Sequence, residues 1–380
     1  MLRPISDEDV QRVVGIVFDP QLGSKYWLDV EKELGLDVRE NVTTFDDLSS
    51  VLGSWMWEHQ SRFDGDLKTL DMRLFVPLSV QRNGSYNVTG ETGGTTGKAK
   101  RGVFNKAVYW DRMIEATKSE LDKRNIPRGG NWLWIGPTGP HSIGDYAKDI
   151  ARAYVSDGQP SPYVFTVDLD TRFIKLLGIT LSNPNTPGEK KAGIKYSLDM
   201  YLAHILHQTQ PILDSQEISK VFTTATILTI PPVVKYLSNT GLDAILHGGT
   251  ALDADTHKIL VEEDYRGIPL IGVYGSSITG PNLQKPREED DDWELVYIPF
   301  QPFLHEDVVD KNGDPVKFGE EGQVRIWRLT EDFLIPGFPE RDRALLVEPY
   351  GRYAEEYPWP WLKGIYSPYI ADNPEAKGVY

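Results

Sequence analysis

The chain has 380 residues, 40% of them hydrophobic, so it is long enough to bury a large core in one big domain with a subdomain, or in two domains. Lys and Arg number 40 against 56 Asp and Glu, and the net charge of -16 disfavours nucleic acid or an anionic membrane surface as a partner. The absence of cysteine excludes disulfides, thiolate metal ligands and a cysteine nucleophile.

The N-terminal part of the sequence predicts helices and no targeting segment. Ser6 and Thr44 are each followed by acidic residues, which is the pattern of a helix N-cap, and residues 1–75 are predicted to be mostly helical and irregular. The first residues lack the apolar core of a signal peptide, and no run of eighteen apolar residues occurs. We therefore expect a cytoplasmic protein that has no membrane contact.

The stretch from Thr89 to Lys100 (TGETGGTTGKAK) packs four glycines, four threonines and two lysines into twelve positions. Glycines let the backbone approach a ligand closely, threonine hydroxyls donate hydrogen bonds and lysine adds positive charge, so the pattern is typical of a loop that holds phosphate groups. A strand over 86–89 is predicted to enter the loop and a helix over 105–121 to follow it. The alternative is a flexible, solvated loop.

Strands and helices then alternate to residue 274, which predicts an α/β sheet covered by helices. Ligands of such sheets bind beyond the carboxyl ends of the strands, so we expect the glycine stretch, Pro140-His141, Gly248-Gly249 and Tyr274-Gly275 to face one crevice. The predicted strands are 132–135, 163–167, 221–225, 244–247 and 270–274, the predicted helices are 145–155, 171–177, 196–209, 231–237 and 253–263, and a polar connector is predicted over 181–191.

The sequence changes character after residue 281. An alternating strand over 293–299 and a hairpin signal at 310–315 predict a β-rich region, and residues 336–380 show no long helical period and are expected to wrap over the surface or to form the remnant of a tail domain. The predicted division is an α/β core over 1–280, a β-rich subdomain of the same domain over 281–345 and a short C-terminal tail over 346–380.

Two common phosphate-binding motifs do not fit the glycine stretch. A Walker loop has two glycines five positions apart, followed by Lys and then Ser or Thr, whereas here Thr92 stands five residues before Gly97 and Ala99 follows Lys98. A dinucleotide fingerprint needs Gly-x-Gly-x-x-Gly, and residues 90–97 contain no glycines at that spacing. Both interpretations are therefore rejected.

Residues 92–100 (TGGTTGKAK) resemble the loop Thr-Ser-Gly-Thr-Thr-Gly-x-Pro-Lys of the adenylate-forming superfamily of acyl-CoA synthetases, peptide-synthetase adenylation domains and luciferases. Three more segments resemble that superfamily's motifs in the same order: its substrate-pocket loop at 140–144, its adenine-edge loop at 247–252 and its Tyr-Gly-x-Thr motif at 274–277. A weaker match is Asp342, which follows a Gly-Glu-rich segment. The resemblance covers roughly residues 75–345 of the sequence, a single large domain.

The resemblance implies that a substrate carboxylate attacks the α-phosphorus of ATP, with Mg²⁺ as a further cofactor, to give an acyl-adenylate and pyrophosphate. The carboxylate is already ionised at neutral pH, so the site has to align the reactants and neutralise phosphate charge without a general base. The implied site consists of catalytic Thr95, Lys98 and Ser277, of ATP- or AMP-binding Thr92, Gly93, Gly94, Thr96, Gly97, Gly248, Gly249, Thr250, Tyr274, Gly275 and Asp342, and of substrate-binding His141, Ser142, Gly144 and Ile278, with no metal ligand.

Structural roles are the alternatives for several of these residues. Tyr274 could instead be an ordinary core tyrosine, and Gly248-Gly249 could form only the turn that enters a helix. Asp342 could be a solvated surface charge, and His141 a histidine with a purely structural role. Trp132, Trp134 and Ile278, likewise, either shape a flat apolar pocket or belong to the core.

The sequence departs from the superfamily at two places. Ile278 stands where the superfamily carries a magnesium-associated glutamate, and only about forty residues follow Asp342, where a C-terminal domain of roughly a hundred residues with a catalytic lysine is usual. We therefore expect a truncated or vestigial C-terminal domain. Without that lysine, adenylation is slow or a partner supplies the missing group.

The phenylacetate-CoA-ligase-like layout and residues 18–28 resemble most the short aryl-acid adenylating enzymes of phenazine antibiotic biosynthesis. This implies an aromatic carboxylic acid substrate and a downstream reductase or acceptor protein, and we also consider a homodimer. The alternatives are a pseudo-enzyme that binds a nucleotide or acyl-AMP, and an aryl-CoA ligase.

Overall fold

The computed structural model describes residues 2–92 and 98–368, so the predicted site residues Gly93, Gly94, Thr95, Thr96 and Gly97 lie outside the described residues. The chain forms two compact units. The first unit comprises Met1–Ala116, Gly275–Asn282 and Val296–Ile365, and the second is built mainly from Thr117–Tyr274 and Leu283–Leu295. Within the described ranges, no helix is both long and apolar enough to cross a lipid bilayer.

Helices dominate the first part of the chain and strands the last. The α-helices are α1 (Asp7–Val17), α2 (Lys25–Leu34), α3 (Val38–Asn41), α4 (Phe45–Leu48), α5 (Ser54–Thr69), α6 (Leu78–Gln81), α7 (Asp111–Lys123), α8 (Ser142–Ala153), α9 (Thr171–Ser182), α10 (Gly188–Ser215), α11 (Ala225–Leu228), α12 (Pro231–Leu237) and α13 (Ala254–Ile259). The strands are β1 (Asn87–Glu91), β2 (Arg101–Asn105), β3 (Asn131–Gly136), β4 (Val164–Asp168), β5 (Ile218–Thr224), β6 (Ala244–Gly248), β7 (Leu270–Ser276), β8 (Gly280–Gln284), β9 (Val296–Ile298), β10 (Leu304–Val309), β11 (Glu321–Arg328), β12 (Ile335–Val347) and β13 (Trp361–Tyr366).

The second unit contains a parallel sheet covered by helices. Strand β3 lies between β4 and β5, and β6 and β7 continue the sheet beyond β5. Leu133, Val221 and Ile245 belong to one buried cluster with Ile174 from α9 and Leu228 from α11. Strands that are covered on both faces appear in the sequence as short continuous apolar runs, which is why they are predictable. The predicted α/β fold class is confirmed.

The first unit begins with helices whose start signals are visible in the sequence. The hydroxyls of Ser6 and Thr44 each accept a hydrogen bond from the backbone N–H three residues later, and the carboxylate there accepts one from the cap N–H. The helices pack around Trp27, whose ring centroid lies 5.8 Å from that of Trp55 and 5.9 Å from that of Phe63. The predicted helical character of this region is confirmed.

The C-terminal strands of the first unit are antiparallel. Strand β11 pairs with β10 and β12, and β13 pairs with β9. The expectation that residues 336–380 form a surface tail or a domain remnant is wrong for the described part. Trp361 is fully buried, and the indole N–H of buried Trp359 donates to the Pro299 carbonyl at 3.0 Å. Strand β13 pairs with β9, more than sixty residues earlier in the chain, and a local sequence pattern does not report such a pairing.

Two further predictions are corrected by the structure. A strand, β2, stands between the glycine stretch and the predicted helix, and it pairs antiparallel with β1 to close a hairpin. The helix predicted over 105–121 is itself present, as a π-helical turn over Lys106–Trp110 followed by α7. The connector predicted over 181–191 is also too long, because α9 extends to Ser182 and α10 begins at Gly188 directly after Pro187. Proline pre-sets a backbone angle that suits the start of a helix, so Pro187 marks a boundary inside the polar segment.

A buried arginine links three segments of the first unit. Arg328 and Asp332 have fully buried side chains, and their charged groups lie 3.0 Å apart. The guanidinium also donates to the carbonyls of Ile278 and Val103, each at 2.8 Å, and Asp332 accepts from the Asn105 N–H at 2.7 Å. The carbon centre of the guanidinium lies 4.5–5.2 Å from the centroids of three aromatic rings, those of Phe104, Tyr109 and Phe333.

We predict that Asp332→Ala strongly destabilises the first unit. The substitution leaves the Arg328 charge buried without its counter-ion, which costs about 3–5 kcal/mol. The midpoint of urea unfolding, followed by tryptophan fluorescence, measures the loss. Arg73→Met, which removes the largely exposed partner of Asp71, is the matched control and is expected to cost less than about 1 kcal/mol. Equal effects of the two substitutions would contradict the prediction.

Candidate functional site

Hydrogen bonds between Thr92 and Lys100 hold the two ends of the glycine stretch together in the first unit. The Thr92 N–H donates to the Lys100 carbonyl at 2.9 Å, and the Lys100 N–H donates to the Thr92 hydroxyl at 3.0 Å. The two ends of the stretch are therefore held together next to the paired strands β1 and β2. Of the predicted residues described here, Thr92 is half-buried and Lys98 is exposed. An exposed lysine is accessible to a soluble anion.

The predicted segment that contains Gly275 and Ser277 forms a tight turn in the same unit. Gly275 has a φ of 155°, and a Cβ there would lie 2.0 Å from the Gly280 carbonyl oxygen, so a side chain does not fit. The Ser276 N–H donates to the Thr279 hydroxyl at 3.1 Å. Ser277 is half-buried within this turn. The turn thus holds Ser277 by its own hydrogen bonds and by close backbone packing.

The hairpin and the turn touch through their backbones. A Cβ on Gly102 of β2 would lie 2.3 Å from the Ser277 carbonyl oxygen and 2.7 Å from the Ile278 Cα. Arg328 reinforces this contact, because it donates to the carbonyls of both Val103 and Ile278. The structure therefore brings the predicted Ser277 next to the strand that carries the glycine stretch.

Lys100, the last residue of the glycine stretch, is tied to β12. Its Nζ lies 2.8 Å from Glu340 Oε1 and 4.7 Å from the centroid of the Phe338 ring. The side chains of Lys100 and Glu340 are only 8% and 15% exposed, so solvent screens this pair weakly. Because Glu340 stands two residues before Asp342, the pair connects the predicted ribose-binding strand to the base of the predicted phosphate loop.

Glu306 is a fully buried acid near the same strand. Asn282 Nδ2 donates to its Oε2 at 2.7 Å, whereas its Oε1 has no hydrogen-bond partner among the described residues. Burial raises the pKa of Glu306 to about 8, and the negative charges of Asp342 and Glu340 add to the rise. Glu306 is therefore protonated at pH 7 and adds no negative charge beside Asp342, which is itself half-buried.

In the second unit, the predicted adenine-side residues meet at the carboxyl edge of the parallel sheet. A Cβ on Gly248 would lie 2.7 Å from the Val273 carbonyl oxygen, and Gly249 adopts a φ of 80°. Half-buried Tyr274 comes directly after Val273, and the Thr250 hydroxyl lies 3.1 Å from that of Thr226. Gly248, Gly249 and Tyr274 are thus brought together.

His247, which precedes this glycine pair, is buried and neutral. Its Nε2 has no hydrogen-bond partner among the described residues. Burial lowers the pKa of His247 to about 3, so the imidazole carries no charge at neutral pH. The histidine therefore fills space beneath the edge and does not attract an anion to it.

The loop with the predicted substrate-binding residues follows β3 at the same edge. A Cβ on Gly144 would lie 2.4 Å from the Pro137 carbonyl oxygen, and Asp168 at the end of β4 accepts from the Thr138 N–H at 2.8 Å. His141 and Ser142 are buried at the start of α8. Strand β5 separates β3 from β6, so this loop does not lie directly beside Gly248. Its substrate-binding role stays a prediction.

Ile278, Trp132 and Trp134 are core residues. Ile278 is 0% exposed and belongs to the buried cluster of the first unit, so its side chain lines no opening in this structure. Trp132 and Trp134 are each 1% exposed, and the Trp134 ring packs against Phe222 with centroids 4.9 Å apart. Of the two alternatives for these tryptophans, the structure favours the core.

The sequence did not identify the residues that hold the site together. Glu340 begins a run of charged residues, a pattern that predicts a solvent-exposed segment, yet its side chain is largely buried against Lys100. Arg328, Asp332 and Glu306 match no motif and no periodic pattern. The sequence offers one signal for the pair of Lys100 with Glu340. A lysine at the end of the glycine stretch predicts an acidic partner nearby.

Comparisons with known proteins show similarity of fold only. No model of a protein family matches the sequence. No curated protein sequence matches it either. The structure is similar to that of 2-hydroxyisobutyryl-CoA ligase, crystallised in an open conformation with 2-HIB-AMP and CoA, with a TM-score of 0.56, 11% identity, and coverage of 90% of this chain and 69% of that chain.

Weaker similarity extends to two more solved structures. ATP-bound MatB from Rhodopseudomonas palustris has a TM-score of 0.43 and 14% identity, over 68% of this chain and 46% of that chain. O-succinylbenzoate CoA synthetase (MenE) from Bacillus subtilis, in complex with ATP and magnesium ion, has a TM-score of 0.43 and 14% identity, over 68% of this chain and 47% of that chain. The match to the hydroxyisobutyryl-CoA ligase confirms the predicted fold.

We predict that Lys100 and Glu340 stabilise the first unit as a coupled pair. Lys100→Met leaves the Glu340 carboxylate largely buried without a cation, and we expect a loss of about 2–4 kcal/mol in urea unfolding. Lys100→Met/Glu340→Gln should recover more than half of that loss, because no unpaired charge remains. Arg343→Met, in an exposed pair with Glu321, is the control and should cost less than about 1 kcal/mol. Additive effects of the two substitutions would contradict the coupling.

We predict that Glu306 makes stability fall between about pH 4.5 and pH 8. In that window the folded state keeps a proton that the unfolded state has released, so the free energy of unfolding decreases as the pH rises. At pH 7 the cost is roughly 3 kcal/mol at 1.36 kcal/mol per pKa unit. Glu306→Gln should flatten this part of the profile, whereas Glu289→Gln at an exposed position should not. Parallel pH profiles for wild type and Glu306→Gln would refute the assignment.

Proposed function

We propose that this chain activates a carboxylic acid as its acyl-adenylate at the expense of ATP, with release of pyrophosphate. One observation carries the proposal. The hairpin of the glycine stretch, the turn of Ser277 and the strand of Asp342 are joined in one unit by the Gly102 packing and the Lys100–Glu340 pair. These are the three segments that the sequence motifs assign to one nucleotide.

The proposed chemistry needs alignment and charge neutralisation. The substrate carboxylate is the nucleophile and is ionised at neutral pH, so no residue has to remove a proton from it. Lys98 and the Ser277 hydroxyl are the described groups proposed to contact phosphate oxygens, together with Thr95 and Thr96 outside the described residues. Asp342 is proposed to accept hydrogen bonds from ribose hydroxyls, and Tyr274 to stack on adenine.

Magnesium is proposed to arrive with the nucleotide. Among the described residues, no group of three or more His, Asp or Glu side chains is arranged to hold a metal ion. This fits Mg²⁺, which keeps several waters and is commonly held by substrate phosphates and one or two carboxylates. When bound, the ion would neutralise phosphate charge.

An aromatic acid is the proposed substrate, and a downstream reductase or acceptor protein the proposed recipient of the acyl group. The resemblance of the sequence to short aryl-acid adenylating enzymes of phenazine biosynthesis supports both. The buried Trp132 and Trp134 do not add to that support.

A non-catalytic nucleotide-binding protein is the second candidate function. The observation that favours it is Ile278, an apolar and fully buried residue where the superfamily carries an acid that assists magnesium. This candidate predicts binding of ATP or of an acyl-adenylate without turnover.

The decisive experiment is exchange of labelled pyrophosphate into ATP with a panel of aromatic and short branched acids. We expect acid-dependent exchange, and Lys98→Ala should lower it by about 10–1,000-fold, because one cationic donor to the phosphates is lost. Lys317→Ala, at another exposed lysine of the first unit, should leave the exchange unchanged.

Each other outcome has a defined meaning. ATP binding without exchange for any acid would replace the enzyme proposal with the non-catalytic one. Thioester formed by this chain alone when CoA is added would identify an acyl-CoA ligase. Absence of ATP binding would overturn both proposed functions.

A further inference from the structure

Helices α9 and α10 of the second unit expose large apolar side chains. Of the ten exposed large apolar side chains in the described part of the chain, five lie on these two helices, whereas the others are scattered. They are Phe173 (42% exposed), Leu176 (61%) and Ile179 (40%) on α9, and Tyr196 (66%) and Met200 (54%) on α10.

The exposed side chains form stripes on the outer faces of both helices. Ile174 of α9 and Ile205 of α10 are buried in the same cluster, so both helices cover one face of the parallel sheet. Tyr196 and Met200 are one turn apart on α10, and the three α9 residues recur at every third position, so each set lies along one side. The Phe173 ring of α9 lies 6.0 Å from the Tyr201 ring of α10, so the two helices are neighbours, and we call their exposed sides together the α9–α10 surface.

The area of this surface is sufficient for a stable protein contact. An aromatic side chain covers about 150–250 Å² when fully buried, so about half of that from each of the five side chains gives at most roughly 500 Å². Two copies would bury roughly 1,000 Å² before any flanking residue is counted, which is about the lower limit of a specific interface. Five large exposed apolar side chains on two neighbouring helices are unusual for a surface that stays in water, and such clusters mark binding surfaces.

The charges on α10 favour a second copy of the same chain as the occupant. Lys195 and Asp199 are exposed and flank Tyr196, so the surface carries opposite charges one turn apart. In an antiparallel, two-fold packing of α10 on its copy, Lys195 faces Asp199 of the second copy and Tyr196 faces Met200 of the second copy. A net charge of -16 disfavours an anionic membrane as the occupant.

We propose that the α9–α10 surface is the interface of a two-fold dimer of this chain. The surface is self-complementary, because its apolar centre and its two charges meet their counterparts when the helix is turned through 180°. The proposal does not depend on the adenylation activity, since it uses residues of α9 and α10 alone.

Sedimentation velocity of the full-length protein tests the proposal. Above about 10 µM, a dimer with a micromolar Kd or tighter is populated, and we expect a mass of two chains. Tyr196→Ser/Met200→Ser should weaken association at least about tenfold. At a concentration low enough for wild type to be monomeric, the substitutions should leave the thermal midpoint unchanged, because both side chains are exposed in the monomer. Leu22→Ser/Phe318→Ser, at exposed apolar positions of the first unit, should leave the dimer intact.

Charge reversal makes the test specific for a two-fold contact. Lys195→Asp alone and Asp199→Lys alone each place like charges against each other and should weaken the dimer about tenfold. The double reversal restores opposite charges and should restore the dimer. A monomeric wild type at every concentration, a dimer that none of these substitutions weakens, or binding of the monomer to anionic phospholipid vesicles in place of self-association would overturn the proposal.

Discussion

The buried ion pair between Arg328 and Asp332 is the interaction on which the candidate site depends. A charge with no exposed surface is costly unless it is paired and fully hydrogen-bonded, and here the guanidinium has a carboxylate and two backbone carbonyls as partners. Those carbonyls belong to β2 and to the turn after β7. The pair can be satisfied only when hairpin and turn occupy their observed positions, so the electrostatic requirement fixes the geometry of both segments.

The two acids near Asp342 add little net negative charge, and this suits the binding of an anionic ligand. The chain carries a net charge of -16, yet Glu340 is neutralised by Lys100 and Glu306 is protonated at pH 7. Both effects reduce negative charge near the strand proposed to contact the ribose. The exposed Lys98 adds positive charge. An acidic protein can thus present a local environment that tolerates phosphate groups.

The position of Ile278, where the superfamily that the sequence resembles carries a glutamate, has a structural role in this fold. Ile278 is fully buried, and its carbonyl is one of the Arg328 acceptors, so the position serves the core and the turn. An acid at this position would need a partner inside the cluster of the first unit. An isoleucine at this position therefore fits the fold, and the proposed chemistry relies on the nucleotide, its metal and the remaining donors.

The sequence by itself determined the α/β class, the N-caps at Ser6 and Thr44, the buried parallel strands and the order of the glycine-rich segments, because each depends on residues that are close together in the chain. Tertiary structure alone decided that β2 follows the glycine stretch, that Trp359 and Trp361 are buried, and that Lys100 meets Glu340. These features pair residues up to 240 positions apart. Local spacing carries no record of such contacts, since long-range packing and the desolvation of charge select them.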